Sequence, residues 1–420
     1  MAAHGEGQQG ASLLILPLHR ECLAHFTGYW PAGFRPRWHR RPGWHMATMS
    51  LSLLGGVTAS TILMRAPRWY LLVLLGWILT AHAARKAQLV LCHYAVHGTL
   101  TKSPWSNRVI AELLSTLLLI QPFDSYYHDH ITRHHGRYLA TLEDPDVQLL
   151  LRLGFRPGMS RHALWRHLYW TLMSPRFHLL MSSMRLRANF FGTPMYRRLM
   201  ASGSLVAGGA VLFLTQGWLT CVLAWLIPLF PLYHIAALLQ FVSEHRWLYV
   251  LEPPTQPGGE RTAERPLADT PKLRLGRLTF GRFVGEPLPS SALPLRPWLW
   301  AWGRWTIRLF LLHLPSRLCV LVGDLCQHDF HHRHPLGDWS NAAYARQCDL
   351  AAGCPGWPEP YGEIWGLGTA INEVFKALAS LPPLPTSWPS PQDRVKGAYP
   401  RGMRQALSQR PRISSRRKER

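Results

Sequence analysis

The sequence is poor in the motifs that hold redox cofactors. Its cysteines form no CxxC pair, which excludes a zinc ribbon and a four-cysteine iron–sulfur site and gives no disulfide framework. It also has no CxxCH motif for haem attachment and no GxGxxG motif placed between a strand and a helix. A reducing compartment suits such a chain. The seven cysteines are Cys22, Cys92, Cys221, Cys319, Cys326, Cys348 and Cys354.

Acidic residues are scarce. The chain has 23 Asp and Glu but 46 Lys and Arg, which gives a formal net charge of +23. Such an excess is typical of nucleic-acid binders and of membrane proteins whose basic loops face the cytoplasm and its anionic lipids. Apolar runs of about twenty residues interrupt this chain, and they favour a membrane and exclude a nucleic-acid partner. The basic end of the chain, SSRRKER, either touches lipid headgroups or is simply solvated.

The N-terminal region lacks the features of a secretory leader. Its apolar stretch SLLILPL follows no basic region and precedes no nearby small-x-small cleavage site, so we expect no signal peptide. Aromatic residues, in contrast, are abundant, with 19 Trp, 13 Tyr and 15 Phe. Trp and Tyr settle at the level of the lipid headgroups, so this load is typical of a protein at a water–lipid boundary.

Long apolar runs predict four membrane spans, since about 20 apolar residues are needed for a helix to cross a bilayer. The first span covers residues 46–64, and the second covers 69–84, in a helix that runs on to 97. Residues 205–242 hold two further spans with a break at 215–217. The spans thus form two hairpins.

Two other apolar segments are not expected to cross the membrane. Residues 109–121 are too few to span and are predicted to dip into the bilayer and return. Residues 298–322 carry Arg304, Arg308 and Arg317, so an interfacial helix is predicted there.

These assignments place both termini on the cytoplasmic side. The N-terminal segment contains Arg35, Arg37, Arg40 and Arg41, and residues 133–198 hold eleven Arg against three acidic residues. Both patterns agree with the excess of basic residues on the cytoplasmic side of membrane proteins. We expect a bacterial inner (plasma) membrane.

The chain divides into three predicted parts. They are an N-terminal cytoplasmic segment (1–45), a membrane domain (46–350) and a Pro-rich, then basic C-terminal tail (351–420). Residues 252–297 are rich in Pro and Gly and predict a long loop. After residue 351 we expect little regular structure beyond a short helix near 369–379.

Histidines occur in three clusters, HYAVH at 93–97, HDHITRHH at 128–135 and HDFHHRH at 328–334. Each contains a pair four residues apart, which share one face of a helix, and two of the clusters also contain an adjacent pair. The topology brings all three to one membrane face. We therefore predict a shared metal site, and because at least eight imidazoles exceed the four ligands of a structural zinc, we predict two metals.

Acidic residues lie beside the later clusters. They either orient ligand imidazoles through the far ring nitrogen, as carboxylates around metal sites commonly do, or are ordinary polar residues at a wet interface. These residues are Asp124, Asp129, Glu244, Asp324 and Asp329.

The three clusters, in this order and separated by apolar hairpins, resemble the histidine boxes of the membrane fatty acid desaturase and alkane hydroxylase superfamily. HITRHHGRYLATLEDPD and HDFHHRHP resemble the hydroxylase branch, and His245 in SEHRW stands where the family places a further ligand. The resemblance covers roughly residues 46–345. It implies an all-α integral membrane bundle with a cytoplasmic helical cap that holds two iron ions. The ligands that it implies are His93, His97, His130, His134, His135, His245, His328, His331 and His332.

Some positions depart from the family pattern. His128 precedes His130 by two residues and competes with it for the ligand role. The chain after His245 does not continue as is usual in the hydroxylases, and His334 is an additional histidine outside the ligand set.

The resemblance implies an O2-dependent di-iron oxidoreductase that acts on lipid acyl or alkyl chains. Fatty acid desaturation ranks first and alkane or fatty acyl hydroxylation second. Because the chain has no electron-carrying cofactor motif, the electron donor is expected to be a separate ferredoxin- or cytochrome-type protein with its reductase. A non-enzymatic metal-binding membrane protein is the lower alternative.

Overall fold

The computed structural model describes residues 17–248 and 271–383, and these residues are mostly helical. The first half contains α1 (Pro17–Thr27), α2 (Pro42–Leu63), α3 (Val73–Lys86), α4 (His93–Val96), α5 (Pro104–Leu117), α6 (Phe123–Tyr126), α7 (Pro145–Arg152), α8 (Arg161–Met173) and α9 (Pro175–Phe190). The second half contains α10 (Met195–Thr215), α11 (Trp218–Thr220), α12 (Tyr233–Glu244), α13 (Pro271–Leu278), α14 (Leu295–Arg308), α15 (His328–Arg333), α16 (Ala342–Ala351) and α17 (Leu367–Ala379).

Shorter helical turns join several of these helices. The 3₁₀ segments are Pro67–Leu72, Leu325–Gln327 and Trp339–Asn341. The π-helical segments are Ala87–Cys92, Tyr127–Arg137, Cys221–Leu226, Pro228–Leu232, Leu309–His313 and Ser316–Val320. Two strands, β1 (Gly281–Phe283) and β2 (Glu363–Trp365), pair in parallel with Gly281 opposite Glu363.

Three helices of the described residues are long and apolar enough to cross a membrane, namely Pro42–Leu63, Met195–Thr215 and Trp218–Glu244. A bent pair, Leu295–Val320 with Leu325–Arg333, makes an angle of 81° and is either a broken span or a re-entrant loop. The break predicted at 215–217 is confirmed, because α10 ends at Gln216 in a left-handed conformation with a φ of 51°. The predicted second span is helical but is not among the three, so four spans stay a prediction.

Helices α2 and α3 pack closely as an antiparallel pair, because glycines lie at their crossing. A Cβ atom on Gly56 would lie 2.7 Å from the backbone nitrogen of Thr80, and one on Gly76 would lie 2.9 Å from the carbonyl oxygen of Gly56. Neither distance leaves room for a side chain. This contact fixes the direction in which α3 leads to the first histidine cluster.

Helix α5 is too short to span, since its 14 residues rise about 21 Å. A buried ion pair joins it to the long helix α10, with Arg197 Nη1 at 2.7 Å from Glu112 Oε2. The same nitrogen donates to the hydroxyl oxygen of Ser115 at 2.9 Å. Because Arg197 is fully buried, this contact anchors α5 against a candidate span.

The prediction of a continuous loop over 252–297 is wrong where the structure describes it. Residues 271–278 form α13, and β1 pairs with β2, which comes from the C-terminal part of the chain. The predicted helix near 369–379 is confirmed as α17, whose Ile371 and Phe375 are buried against Phe155. Residues 252–270 of the predicted loop, residues 1–16 of the N-terminal segment and residues 384–420 of the predicted tail lie outside the described residues.

We predict that Gly56→Val destabilises the protein, because the new side chain must push α3 away from α2. Overpacking of this kind costs about 1–3 kcal/mol. The thermal unfolding midpoint in one detergent, followed by tryptophan fluorescence, measures the effect. Gly55→Val is the matched control, since nothing lies within 4 Å of a Cβ atom there. Equal midpoints for the two variants would contradict the close crossing.

Candidate metal centre

The nine histidines expected as ligands converge in the structure as two groups. Within each group, one nitrogen of every imidazole lies within 4.8 Å of the others. The five-histidine group consists of His93, His97, His130, His135 and His331. The four-histidine group consists of His134, His245, His328 and His332.

The adjacent histidine pairs divide between the two groups. His134 belongs to the four-histidine group and His135 to the other, and His332 and His331 divide in the same way. Successive residues of a helix point about 100° apart, so each doublet can reach two separate centres. The rings of His135 and His332 stack with their centroids 4.3 Å apart and thereby join the groups.

Residues four apart share a face in all three clusters. His93 and His97 belong to one group, as do His328 and His332. The rings of His130 and His134 also stack, with centroids 5.4 Å apart, but these two residues, which lie in the π-helical segment Tyr127–Arg137, belong to different groups. A π-helical segment is rare and often marks a functional site.

Hydrogen bonds determine which nitrogen of His93 faces the centre. Its Nδ1–H donates to the carbonyl oxygen of Leu89 at 3.1 Å, so its Nε2 carries a lone pair. That Nε2 lies 3.0 Å from Nε2 of His331 and 2.9 Å from Nε2 of His130.

Tyr94 determines the tautomer of His331. The hydroxyl of Tyr94 donates to Asp324, so it is free to accept from Nδ1–H of His331 at 3.3 Å. Nε2 of His331 then also carries a lone pair, directed at that of His93. Two lone pairs at this separation repel each other unless a cation lies between them, so the geometry fits a bound metal.

His245 gives a second indication of a cation. It is fully buried, and among the described residues its ring nitrogens make no hydrogen bond of regular geometry, with only a weak approach to the backbone of Leu278. A buried polar group without a partner costs free energy, roughly 1–3 kcal/mol. Since three other imidazoles surround it, a metal ion in the four-histidine group would supply the missing partner.

Burial keeps most of these imidazoles neutral, which is the form that binds a metal. It lowers the pKa of His130 and of His135 well below the ordinary value. His134 differs. Burial lowers its pKa, but the carboxylates of Asp144 and Asp146 outweigh that effect and raise the pKa to about 9.

Asp144 is a site residue that the sequence interpretation did not single out. Its Oδ2 lies 3.0 Å from Nδ1 of His134 and also accepts from the backbone nitrogen of Ala140 at 2.8 Å. Its Oδ1 caps α7 by accepting from Asp146 N at 3.0 Å. The carboxylate therefore holds His134 with Nε2 toward the centre, an arrangement common around metals. The only signal in the sequence was the LEDPD segment in the family resemblance.

Two of the five acids near the later clusters contact an imidazole or its partner. Glu244 Oε1 lies 3.0 Å from Nε2 of His328, the nitrogen that also lies 3.1 Å from Nε2 of His332, so Glu244 is on the inner side of the group and not at the far ring nitrogen. Glu244 is itself held by the amide nitrogen of Gln240 at 3.1 Å. Asp324 acts through the hydroxyl of Tyr94, a residue that the sequence interpretation also missed.

The other three acids have different partners, so their suggested role in orienting ligands is wrong for the contacts described. Asp329 binds the guanidinium of Arg346 at 2.9 Å. Asp124 pairs with Arg108, and Asp129 accepts from the side-chain amide of Gln121 at 2.6 Å. The last two pairs stabilise the turn that leads into the second cluster.

The two additional histidines lie outside both groups. His128 is exposed, so its competition with His130 for the ligand role is not supported by its position. His334 lies 3.3 Å from Oδ2 of Asp349, and its ring contacts Phe330. Because His128 is exposed and lies outside both groups, it is a suitable control position for substitutions of the grouped histidines.

We predict that Asp144→Asn weakens metal binding, because a neutral amide no longer favours the tautomer and orientation of His134. Changes to such supporting residues cost about 10–100-fold in metal affinity. Titration of the metal-free protein with Fe²⁺ under anaerobic conditions measures the affinity. Asp129→Asn is the control, since Asp129 bonds to Gln121 and to no imidazole in the described ranges. Unchanged affinity in Asp144→Asn would contradict the assignment.

Comparison with known proteins gives one family. The model of the fatty acid desaturase family matches residues 67–341, more than half of the chain, and this range holds all nine grouped histidines. No curated protein and no solved structure matches the chain. Members of the family are oxidoreductases of lipid acyl chains in membranes and generally depend on iron. The chain therefore belongs to the fatty acid desaturase family.

Proposed function

We propose that this protein is a membrane-bound, O2-dependent di-iron oxidoreductase of lipid acyl chains, and first of all a fatty acid desaturase. The observation that carries the proposal is the division of nine buried or half-buried imidazoles into one group of five and one of four. Each group has the donors that would hold one ion, and the shared helices keep the two groups side by side. We assign the nine histidines as the ligands.

The donor set supports iron over zinc. Structural zinc sites are closed, four-coordinate and commonly rich in thiolates. Here the donors are uncharged imidazoles, and the buried thiols of Cys92, Cys326 and Cys354 stand in neither group. Imidazole suits iron, and an incomplete coordination shell leaves room for dioxygen. When bound, the two irons would supply the O2-derived oxidising power that removes hydrogen from an unactivated C–H bond.

The residues of this chain prepare the site in three ways. Burial of the imidazoles excludes water and keeps the pKa of His130 and His135 low, so that lone pairs remain available. Asp144 and Tyr94 hold the tautomers of their histidines. Apolar helices carry the ligands to the lipid boundary, where an acyl chain is soluble.

A small apolar recess lies beside the chain that leads to the first histidine cluster; its volume of about 10 Å³ admits no acyl chain unless the helices around it move apart. Ala83 of α3 and Ala87 of the following π-helical segment line it together with Leu114 and Leu118 on the α5 side and Met49 of α2. Ala87 precedes His93 by six residues, a rise of about 9 Å along a helix. An acyl chain lying in this direction would present a methylene group to the five-histidine group.

Hydroxylation is the second candidate, favoured by one contact. Asp144, from the Asp-Pro pair that resembles the hydroxylase branch, holds His134 directly. The outcome depends on the position of the chain, because removal of a second hydrogen gives a double bond and return of oxygen gives an alcohol. A metal transporter is less consistent with the site, since the two groups share one enclosed place and do not form a path across the membrane.

The electrons are proposed to come from a separate ferredoxin- or cytochrome-type protein with its reductase. The proposed orientation puts both termini in the cytoplasm of a bacterium, at its inner membrane. Exposed Arg35, Arg37 and Arg41 then face that compartment and attract an acidic donor by electrostatic steering.

Lipid profiling of a host that expresses the protein tests the function. We expect new unsaturated acyl chains, and we expect His134→Ala to abolish them, because it removes a ligand of the four-histidine group. His128→Ala, from the same helical segment but exposed, should keep full activity. New hydroxyl groups would favour the hydroxylase. Lipids identical in all three strains, with the protein present in the membrane, would contradict both enzymatic proposals.

A further inference from the structure

Three aromatic rings form a stack that begins at a ligand of the five-histidine group. The ring of Tyr94 lies 4.8 Å from that of His93, with 3° between their planes. On its other face Tyr94 lies 4.3 Å from Trp339, at 8°. Both Tyr94 and Trp339 are buried, at 1% and 7% exposure. The π systems are thus in continuous contact from the metal centre outward.

The hydroxyl of Tyr94 has a base ready to accept its proton. It donates to Oδ2 of Asp324, whose other oxygen, Oδ1, has no hydrogen-bond partner among the described residues. Oxidation of a phenol by one electron releases its proton, because the phenol cation is very acidic. A carboxylate already in a hydrogen bond takes that proton without any movement of the chain.

The outer end of the stack lies under the N-terminal segment. Trp339 contacts the ring of His45 at 5.1 Å between centroids, and the next residue, Ser340, bonds to His45 through its carbonyl oxygen at 3.3 Å. Trp44, beside His45, is 54% exposed. The stack therefore leads outward from the five-histidine group to Trp339, which is covered by the buried His45, the neighbour in sequence of the exposed Trp44.

We propose that Tyr94 and Trp339 conduct oxidising equivalents away from the metal centre when no substrate occupies it. The proposal rests on the proposed function. With metal bound and oxidised, Tyr94 would give up one electron and pass its phenolic proton to Asp324. Trp339 would then give an electron to the Tyr94 radical, which would regain its proton from Asp324. A small one-electron reductant, such as a thiol, would restore Trp339 by electron transfer across the N-terminal segment that covers it.

Two other aromatic residues at the site lack the combination of a parallel ring stack and a carboxylate that accepts a proton. Tyr126 contacts His130 with its ring tilted by 41° and does not continue the stack. Trp247 contacts the four-histidine group, at 4.9 Å from His245, but its Nε1 donates to the carbonyl oxygen of Phe241 and not to a carboxylate. Among the described residues, the stack of Tyr94 and Trp339 joins a ligand, a proton acceptor and the covering N-terminal segment.

The test uses the full-length, iron-loaded protein in detergent, without lipid substrate. The iron is first brought to the ferric state, so that the two oxidising equivalents of hydrogen peroxide are available to the aromatic residues, and electron paramagnetic resonance after rapid freezing records radicals. We expect a tyrosyl radical in the unaltered protein and its loss in Tyr94→Phe. Trp339→Phe should lengthen the lifetime of the tyrosyl radical several-fold, because the next electron donor is missing. Tyr126→Phe is the control and should keep the signal.

Further measurements separate the possible failures. Ring-deuterated tyrosine should narrow the signal of the unaltered protein, and this observation needs no variant. A protein that binds iron and consumes peroxide but shows no tyrosyl radical would overturn the inference and leave the proposed function intact. The inference is also overturned if the signal survives in Tyr94→Phe of unchanged iron content. A protein that binds no iron would overturn the proposed function together with the inference.

Discussion

Nine imidazoles share one small region from which water is largely excluded, and this constraint governs the rest of the structure. Uncharged rings whose lone pairs point at one another repel, as Nε2 of His93 and Nε2 of His331 do at 3.0 Å. Positive ions between them would convert that repulsion into coordination. The second nitrogen of these rings faces a hydrogen-bond acceptor of the protein. The carbonyl oxygen of Leu89 accepts from Nδ1 of His93, and the carboxylate of Asp144 accepts from Nδ1 of His134.

The fold brings the imidazoles together by fixing the ends of its helices. The close crossing of α2 and α3 at Gly56 and Gly76 sets the path of the chain to His93. The buried pair of Arg197 and Glu112 holds α5, from which the chain turns into the second cluster. The two contacts thus fix where these helices end, which is where the chain enters the histidine clusters.

Eight of the nine grouped histidines lie in clusters whose local spacing the sequence shows, whereas His245 was implied only by the family resemblance. Pairs four residues apart fall on one face of any regular helix, as His93 with His97 and His328 with His332 show. The spacing did not indicate that His130 and His134, whose rings stack, belong to different groups. Asp144 and Tyr94 were also missed, because their importance arises only when the chain folds back on itself. The short β1 and β2, 82 positions apart in their register, carry no periodic pattern at all.

The most direct measurement is the metal content of the purified protein together with the X-ray absorption spectrum at the iron edge. Two groups of imidazoles predict two irons per chain whose nearest neighbours are nitrogen, without sulfur. A single metal ion per chain, or a spectrum dominated by thiolate sulfur, would contradict the division of the histidines between two centres.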